Sequence, residues 1–268
     1  MTPNPSTPIL WSLDKRGIAA ITFNRPDVNN AYNGEFIAGV LGAMDALAKE
    51  PSLRVVVLRG AGKHFQAGAD LKWIRSLAAR SAEDNLAASR DTATVVRRLN
   101  ELPVPTVALV HGGCFGGGTG IVAACDVAIA ADNASFAIAE TRWGLMGGII
   151  LPQLADAIGV RQVRRYAQTG ERFDAHEARR IGLVHEVVPV AELEAAGGRV
   201  VDHLLQNAPG ANAQTKAVTL EFAWGTMSDE TFARLVAQHA AKRQSEEAAE
   251  GLASFAEKRP ARWYRPAT

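Results

Sequence analysis

The sequence predicts an α/β fold, on three observations. Short β-branched apolar runs alternate with stretches whose apolar residues recur at helical spacing. A strand-like run at 106–110 enters a loop carrying Gly112, Gly113, Gly116, Gly117, Gly118 and Gly120, then passes into small apolar residues that read as helix. The chain has 268 residues, 47% of them hydrophobic, and a net charge of +1, which suits a globular protein with a sizeable core.

In order, residues 1–8 are a lead-in of Pro, Thr and Ser. Residues 9–13 and 18–23 read as two strands turned at 14–17. Asn24-Arg25-Pro26 follows, where proline fixes φ and ends the strand, and Arg25 reads as an ordinary surface charge. Phe36, Ile37, Val40, Leu41, Met44 and Leu47 have helical spacing over 34–50, ending before Pro51. Residues 54–58 read as a buried parallel strand, so the connection winds right-handed. In the loop 60–71, GAGKHFQAGADL, the small residues Ala67, Gly68 and Ala69 let backbone N–H groups face a ligand, and Asp70 is placed to cap the next helix. That helix spans 71–102 with a break at SAED, and Pro103 and Pro105 close it.

The stretch 105–148 carries the chemistry. Glycines allow close approach of backbone to ligand, and the first N–H groups of a helix lack intrahelical partners, so the turn suits an oxyanion or a phosphate. Glu140 closes the apolar run SFAIAE, where desolvation raises a carboxyl pKa toward that of a useful acid/base. A packing corner and a solvated strand end are the plainer readings of these two features. A dinucleotide turn competes, since Gly118, Gly120 and Ala123 fit G-x-G-x-x-A, but that motif sits directly on a strand end, and seven residues separate Val110 from Gly118.

Residues 151–168 read as a helix with a solvated arginine face. From 193 to 255 the pattern is helical, broken at Pro209 and Gly225. The domain reading is a core over 1–200 and a helical region over 201–268. Cys114 and Cys125 are too few for a disulfide framework, which points to a reducing cytoplasm, and Cys114 reads as a small buried hydrophobe. No apolar run reaches membrane-spanning length, and neither membrane nor nucleic acid is expected as a partner.

The run FGGGTGIVAACDVAIAADNASFAIAE, with AGKHFQAGADL before it and TGERFDAHEARRIGLVHEVVP after it, resembles the enoyl-CoA hydratase/isomerase (crotonase) superfamily over nearly the whole chain. NNAYN, HFQAGADLKW and FGGGTG are most similar to bacterial methylglutaconyl-CoA and isohexenylglutaconyl-CoA hydratases of leucine and acyclic terpene breakdown. The resemblance implies a spiral of ββα units, with a turn, a helix at 174–181 and a strand at 183–187 over 169–189, followed by helices that make a homotrimer or a dimer of trimers. It implies an oxyanion hole from the Ala69 and Gly117 N–H groups, with Glu140 as acid/base and Gly148 helping to seat water. It places Val28 and Lys72 near CoA, and Ala67, Gly68, Asp70, Leu71, Trp73 and Arg142 with the substrate, Arg142 toward a distal carboxylate. No cofactor and no metal are implied, CoA being part of the substrate. Hydratases of the family place a second glutamate where this sequence has Gly120. One-base isomerisation is therefore the alternative to hydration, and a non-catalytic CoA-ester or RNA-binding protein, or a dinucleotide-binding one, lies further off.

Overall fold

The computed structural model describes residues 7–223, 230 and 245–265. Its centre is a six-stranded sheet. β1 (Ile9–Leu13) pairs antiparallel with β2 (Ile18–Phe23), and β3 (Val55–Gly60), β4 (Thr106–Val110), β6 (Val127–Ala131) and β9 (Glu186–Val188) extend it in parallel. These strands are apolar at consecutive positions because both faces are covered. Val56, Leu58, Ala108, Val110, Ala128 and Ala130 face a core built with α1 (Gly34–Leu47), α3 (Ala82–Asn100), α4 (Gly117–Ala123) and α5 (Leu151–Thr169). Val55, Val57, Val107, Leu109, Ile129 and Ala131 face α7 (Leu193–Gln206).

A second sheet decides where the site lies. β5 (Gly113–Phe115) pairs in parallel with β7 (Ser135–Ala137), and β7 pairs antiparallel with β8 (Phe173–Asp174). Gln66 forms an isolated bridge to Cys114 on the other side of β5. The chain thus winds in turns that each give one segment to each sheet before a helix. β3, Gln66 and α2 (Leu71–Ala78) make one turn, β4, β5 and α4 the next, and β6, β7 and α5 the third. This is the ββα spiral.

Four local differences from the sequence reading have physical reasons. The interval between Val110 and Gly118, read as loop, contains β5, whose backbone is satisfied by the second sheet. The SAED break is a helix start, with Ser81 Oγ accepting from Asp84 N at 3.1 Å. Leu183 and Val184 lie outside any strand: they are buried in a turn off α6 (Ala175–Ile181) and donate to Ala178 O, which leaves the ladder to start at Glu186. The domain boundary at 200 falls inside α7, which runs unbroken and buries Leu193, Ala196, Val201 and Leu205 on the sheet.

After α7 come α8 (Pro209–Phe222) and α9 (Glu246–Ala256), and the expected break at Gly225 lies outside the described residues. The terminal residues are tied back onto the same chain. Glu250 is buried and receives Arg259 at 2.7 Å and Arg262 at 2.9 Å, while Trp263 Nε1 donates to Gln206 O at 2.8 Å and Arg54 donates to Trp263 O at 2.7 Å.

Candidate active site

Three segments that follow the second sheet meet at one cavity of about 600 Å3. Ala69 lies three residues beyond Gln66, Gly117 three beyond Cys114, and Glu140 four beyond Phe136, and these starting residues are successive partners across the sheet. The spiral therefore stacks residues far apart in sequence. Ala67, Gly68, Ala69, Leu71, Trp73, Gly117, Glu140 and Arg142, all expected at the site, line the cavity.

The two backbone donors stand free of the surrounding ladders. Tyr32 N donates to Gly68 O and Asp70 N to Tyr32 O, both at 2.9 Å, so the bridge passes over the Ala69 N–H. Gly117 is the first residue of α4, where an N–H has no intrahelical partner. Gly116 before it has φ of 51° and ψ of −121°, a conformation for glycine alone, and a Cβ there would stand 3.0 Å from Glu140 Oε1. Glycine is thus required twice over, by dihedral and by the carboxylate that fills the space.

Glu140 does not sit on a strand. β7 ends at Ala137, and Glu140–Trp143 forms a 3-10 turn. Burial pushes its carboxyl above the ordinary carboxylate range, offset in part by a hydrogen bond from its own backbone N–H, and the buried Oε2 has no hydrogen-bond partner. It is the one acidic side chain among the described residues that line the cavity. Asp126, which follows the glycine-rich helix, is engaged by Thr106 and by Lys216, both at 2.8 Å.

Some expected residues take other places. Gly147 lies against Glu140, its Cβ position 3.2 Å from the carboxyl carbon, whereas Gly148 faces the Met146 thioether and is not part of the cavity wall. A turn closed by Ile150 N donating to Gly147 O at 2.9 Å begins there and points the two residues at different neighbours, which sequence spacing did not reveal. Val28, on an exposed 3-10 turn, and exposed Lys72 are also outside the wall. So is Asp70, which caps α2 by accepting from Lys72 N at 3.0 Å and pairs with Arg25 at 3.3 Å. Arg25 is accordingly no ordinary surface charge, since it also donates to Ala31 O and holds the two loops together.

A match over nearly the full length now decides the lineage. The enoyl-CoA hydratase/isomerase family profile matches residues 14–266. The chain belongs to the enoyl-CoA hydratase/isomerase family. An enoyl-CoA hydratase from Shewanella pealeana superposes with a TM-score of 0.91 at 34% identity, over 96% of each chain. A hydroxycinnamoyl-CoA hydratase-lyase from Pseudomonas fluorescens is 35% identical over 72% of this chain and 71% of its own. A mitochondrial Δ(3,5)-Δ(2,4)-dienoyl-CoA isomerase from Dictyostelium discoideum is 31% identical over 92% of this chain and 87% of its own. The fold is the crotonase fold, and this enoyl-CoA hydratase/isomerase family member is an enzyme acting on acyl-CoA thioesters.

Sequence reading missed two residues of this family member's site. Gln66 is fully buried, accepts from Gly68 N at 2.8 Å and donates to Gly68 O at 3.2 Å, and its backbone bonds Gly113 O and Phe115 N. It clamps the loop that carries Ala69 to the strand that leads to Gly117; a glutamine among small residues gave no signal of that. Tyr32, from the NNAYN run, lines the cavity with its ring edge-on to Trp73, 5.8 Å between centroids. His64, given no role from sequence, accepts from Gly113 N at 2.7 Å through Nδ1 and so braces β5. Among the described residues there is no cluster of side chains fit to hold a metal ion and no helix long and apolar enough to cross a membrane.

Proposed function

We propose that the protein is a hydratase adding water across the α,β double bond of an unsaturated acyl-CoA, with Glu140 carrying both proton transfers. The observation behind this reading is the single carboxylate: Glu140 alone, desolvated and with a free oxygen, faces a cavity that also holds the Ala69 and Gly117 N–H groups. The two donors polarise the thioester oxygen, so charge that builds there in the enolate-like transition state meets fixed dipoles. Water attacks Cβ as Glu140 takes its proton, and the same carboxyl returns a proton to Cα on the same face, which is syn addition.

The acyl chain we propose is a branched glutaconyl one. Arg142 and Arg172 both line the cavity, and neither is ion-paired among the described residues. Arg142 reaches the wall by packing its side chain on Gly170, whose Cβ position is 2.9 Å from Arg142 Nε, and Arg172 lies over the Phe115 ring at 4.9 Å. Two guanidiniums lining the cavity near its exposed edge suit a distal carboxylate, which they would meet with charge-assisted hydrogen bonds. Assembly as a homotrimer or a dimer of trimers belongs to the same reading.

Turnover of a panel of enoyl-CoA esters, followed by loss of the conjugated thioester absorbance, tests the reaction. No hydration of any ester would overturn hydration, and double-bond migration without water uptake would establish the one-base isomerase that a lone glutamate equally allows. Arg142→Met should raise KM for glutaconyl esters and leave crotonyl-CoA unchanged. Equal effects on both would reject the distal-carboxylate assignment.

A further inference from the structure

The hydration reading leaves one mechanical requirement unmet. A water attacking Cβ must present a lone pair to carbon, and hydrogen bonds from both of its protons fix that direction. Glu140 accepts one. A second carboxylate at position 120 has no room, since a Cβ on Gly120 would stand 2.2 Å from Ile150 Cγ2. The second acceptor must come from another element.

Tyr32 has the placement. A Cβ on Gly117 would meet Tyr32 Cε1 at 2.7 Å and Cζ at 3.5 Å, while a Cβ on Gly116 would meet Glu140 Oε1 at 3.0 Å. The hydroxyl-bearing end of the ring and the carboxylate therefore flank one turn of backbone from adjacent residues. The Tyr32 backbone is pinned on both sides of Ala69, and its ring is held edge-on by Trp73. No hydrogen bond to the hydroxyl forms among the described residues, which leaves it available in the cavity. Burial and the charge of Glu140 push the phenol up to about 12, so it stays neutral at working pH and keeps both a proton to donate and lone pairs to accept.

We propose that the Tyr32 hydroxyl is a positioning residue for hydration, accepting a hydrogen bond from the attacking water while Glu140 accepts the other. The proposal rests on the hydration reading above. Tyr32 acts through the water and takes no proton itself.

Tyr32→Phe keeps the ring against Gly117 and Trp73 and removes only the hydroxyl. Wild-type hydration of an enoyl-CoA is measured first, and its absence counts against the hydration reading rather than against Tyr32. Given wild-type turnover, kcat for hydration by Tyr32→Phe should fall about 10-fold or more with KM unchanged, the loss of one hydrogen bond in the transition state. Exchange of the Cα proton of a saturated acyl-CoA in heavy water needs Glu140 and the oxyanion donors but no attacking water, and should continue at the wild-type rate. Unchanged hydration would overturn the proposal. So would an equal loss of hydration and exchange, which would assign the hydroxyl to Glu140 or the oxyanion turn instead.

Discussion

At the scale of single residues, the site stores a cost in one place and a clamp in another. Burial holds the Glu140 carboxyl above its ordinary value of 4.5, so the fold favours the protonated form. That preference is fully present below 4.5 and is lost as pH rises through the raised folded value, where the desolvated carboxylate counts against the fold. Glu140→Gln should therefore raise Tm at neutral pH, with the gain shrinking as pH falls toward 4.5 in a thermal unfolding series. The same variant should lose hydration by about 100-fold or more, as loss of a general acid/base does. Gln66 works in the opposite sense. Gln66→Leu leaves the Gly68 N–H without its buried acceptor, a loss of about 1–3 kcal/mol in denaturant unfolding. It should also lower kcat, because the Ala69 donor sits one residue beyond the released glycine.

At the scale of elements, α4 explains why no second carboxylate joins Glu140 at the cavity from position 120. Gly120 lies inside the helix, and an alanine there would gain about 1 kcal/mol of helix propensity. Its Cβ would however stand 2.5 Å from Ile150 Cβ as well as 2.2 Å from Cγ2, so rotation of the Ile150 side chain gives no escape. Overpacking of this kind costs about 1–3 kcal/mol, and packing wins. Gly120→Ala should lower Tm, and Gly120→Glu should lower it further without creating a second acid at the site. An unchanged Tm for both would mean that α4 shifts freely against the start of α5. Gly117, at the first position of the same helix, meets the Tyr32 ring in the same way. Gly117→Pro, the obvious deletion of the donor N–H, therefore also pushes on Tyr32, and its effect on turnover should exceed that of losing the N–H alone.

At the scale of the whole molecule, the spiral brings the loops of Ala69 and Gly117 and the Glu140 carboxylate to one cavity, and α8 lies at the surface. α8 buries none of its residues within the chain, while the residues after α9 are tied to Gln206 and Arg54 of the same chain. Around the cavity Trp143 and Met146 are 64% and 80% exposed, a wall with apolar surface open to contact. Light scattering coupled to size exclusion should show a trimer or a dimer of trimers, and a monomer at micromolar concentration would reject that assembly.

The alternation of β-branched runs and helical periods was enough to place β1 to β4, most of the helices and the glycine turn, because those patterns are local and follow from burial of one face or both; β6, built of Val, Ala and Ile just after the small-residue helix, reads in the sequence as part of that helix. The same locality marked the two small-residue loops and the end of the apolar run at Glu140, while Ala69 and Gly117 were picked out within those loops by the family resemblance. Tertiary structure alone decided the rest. β5 exists because β7 pairs with it, Gly147 rather than Gly148 faces Glu140 because a turn closed by Ile150 N and Gly147 O starts there, and Gln66 and Tyr32 reach the site through bridges to Cys114 and Ala69. The empty place at Gly120 was visible as a missing glutamate, but the reason for it, the side chain of Ile150, is a contact thirty residues away that only packing could reveal.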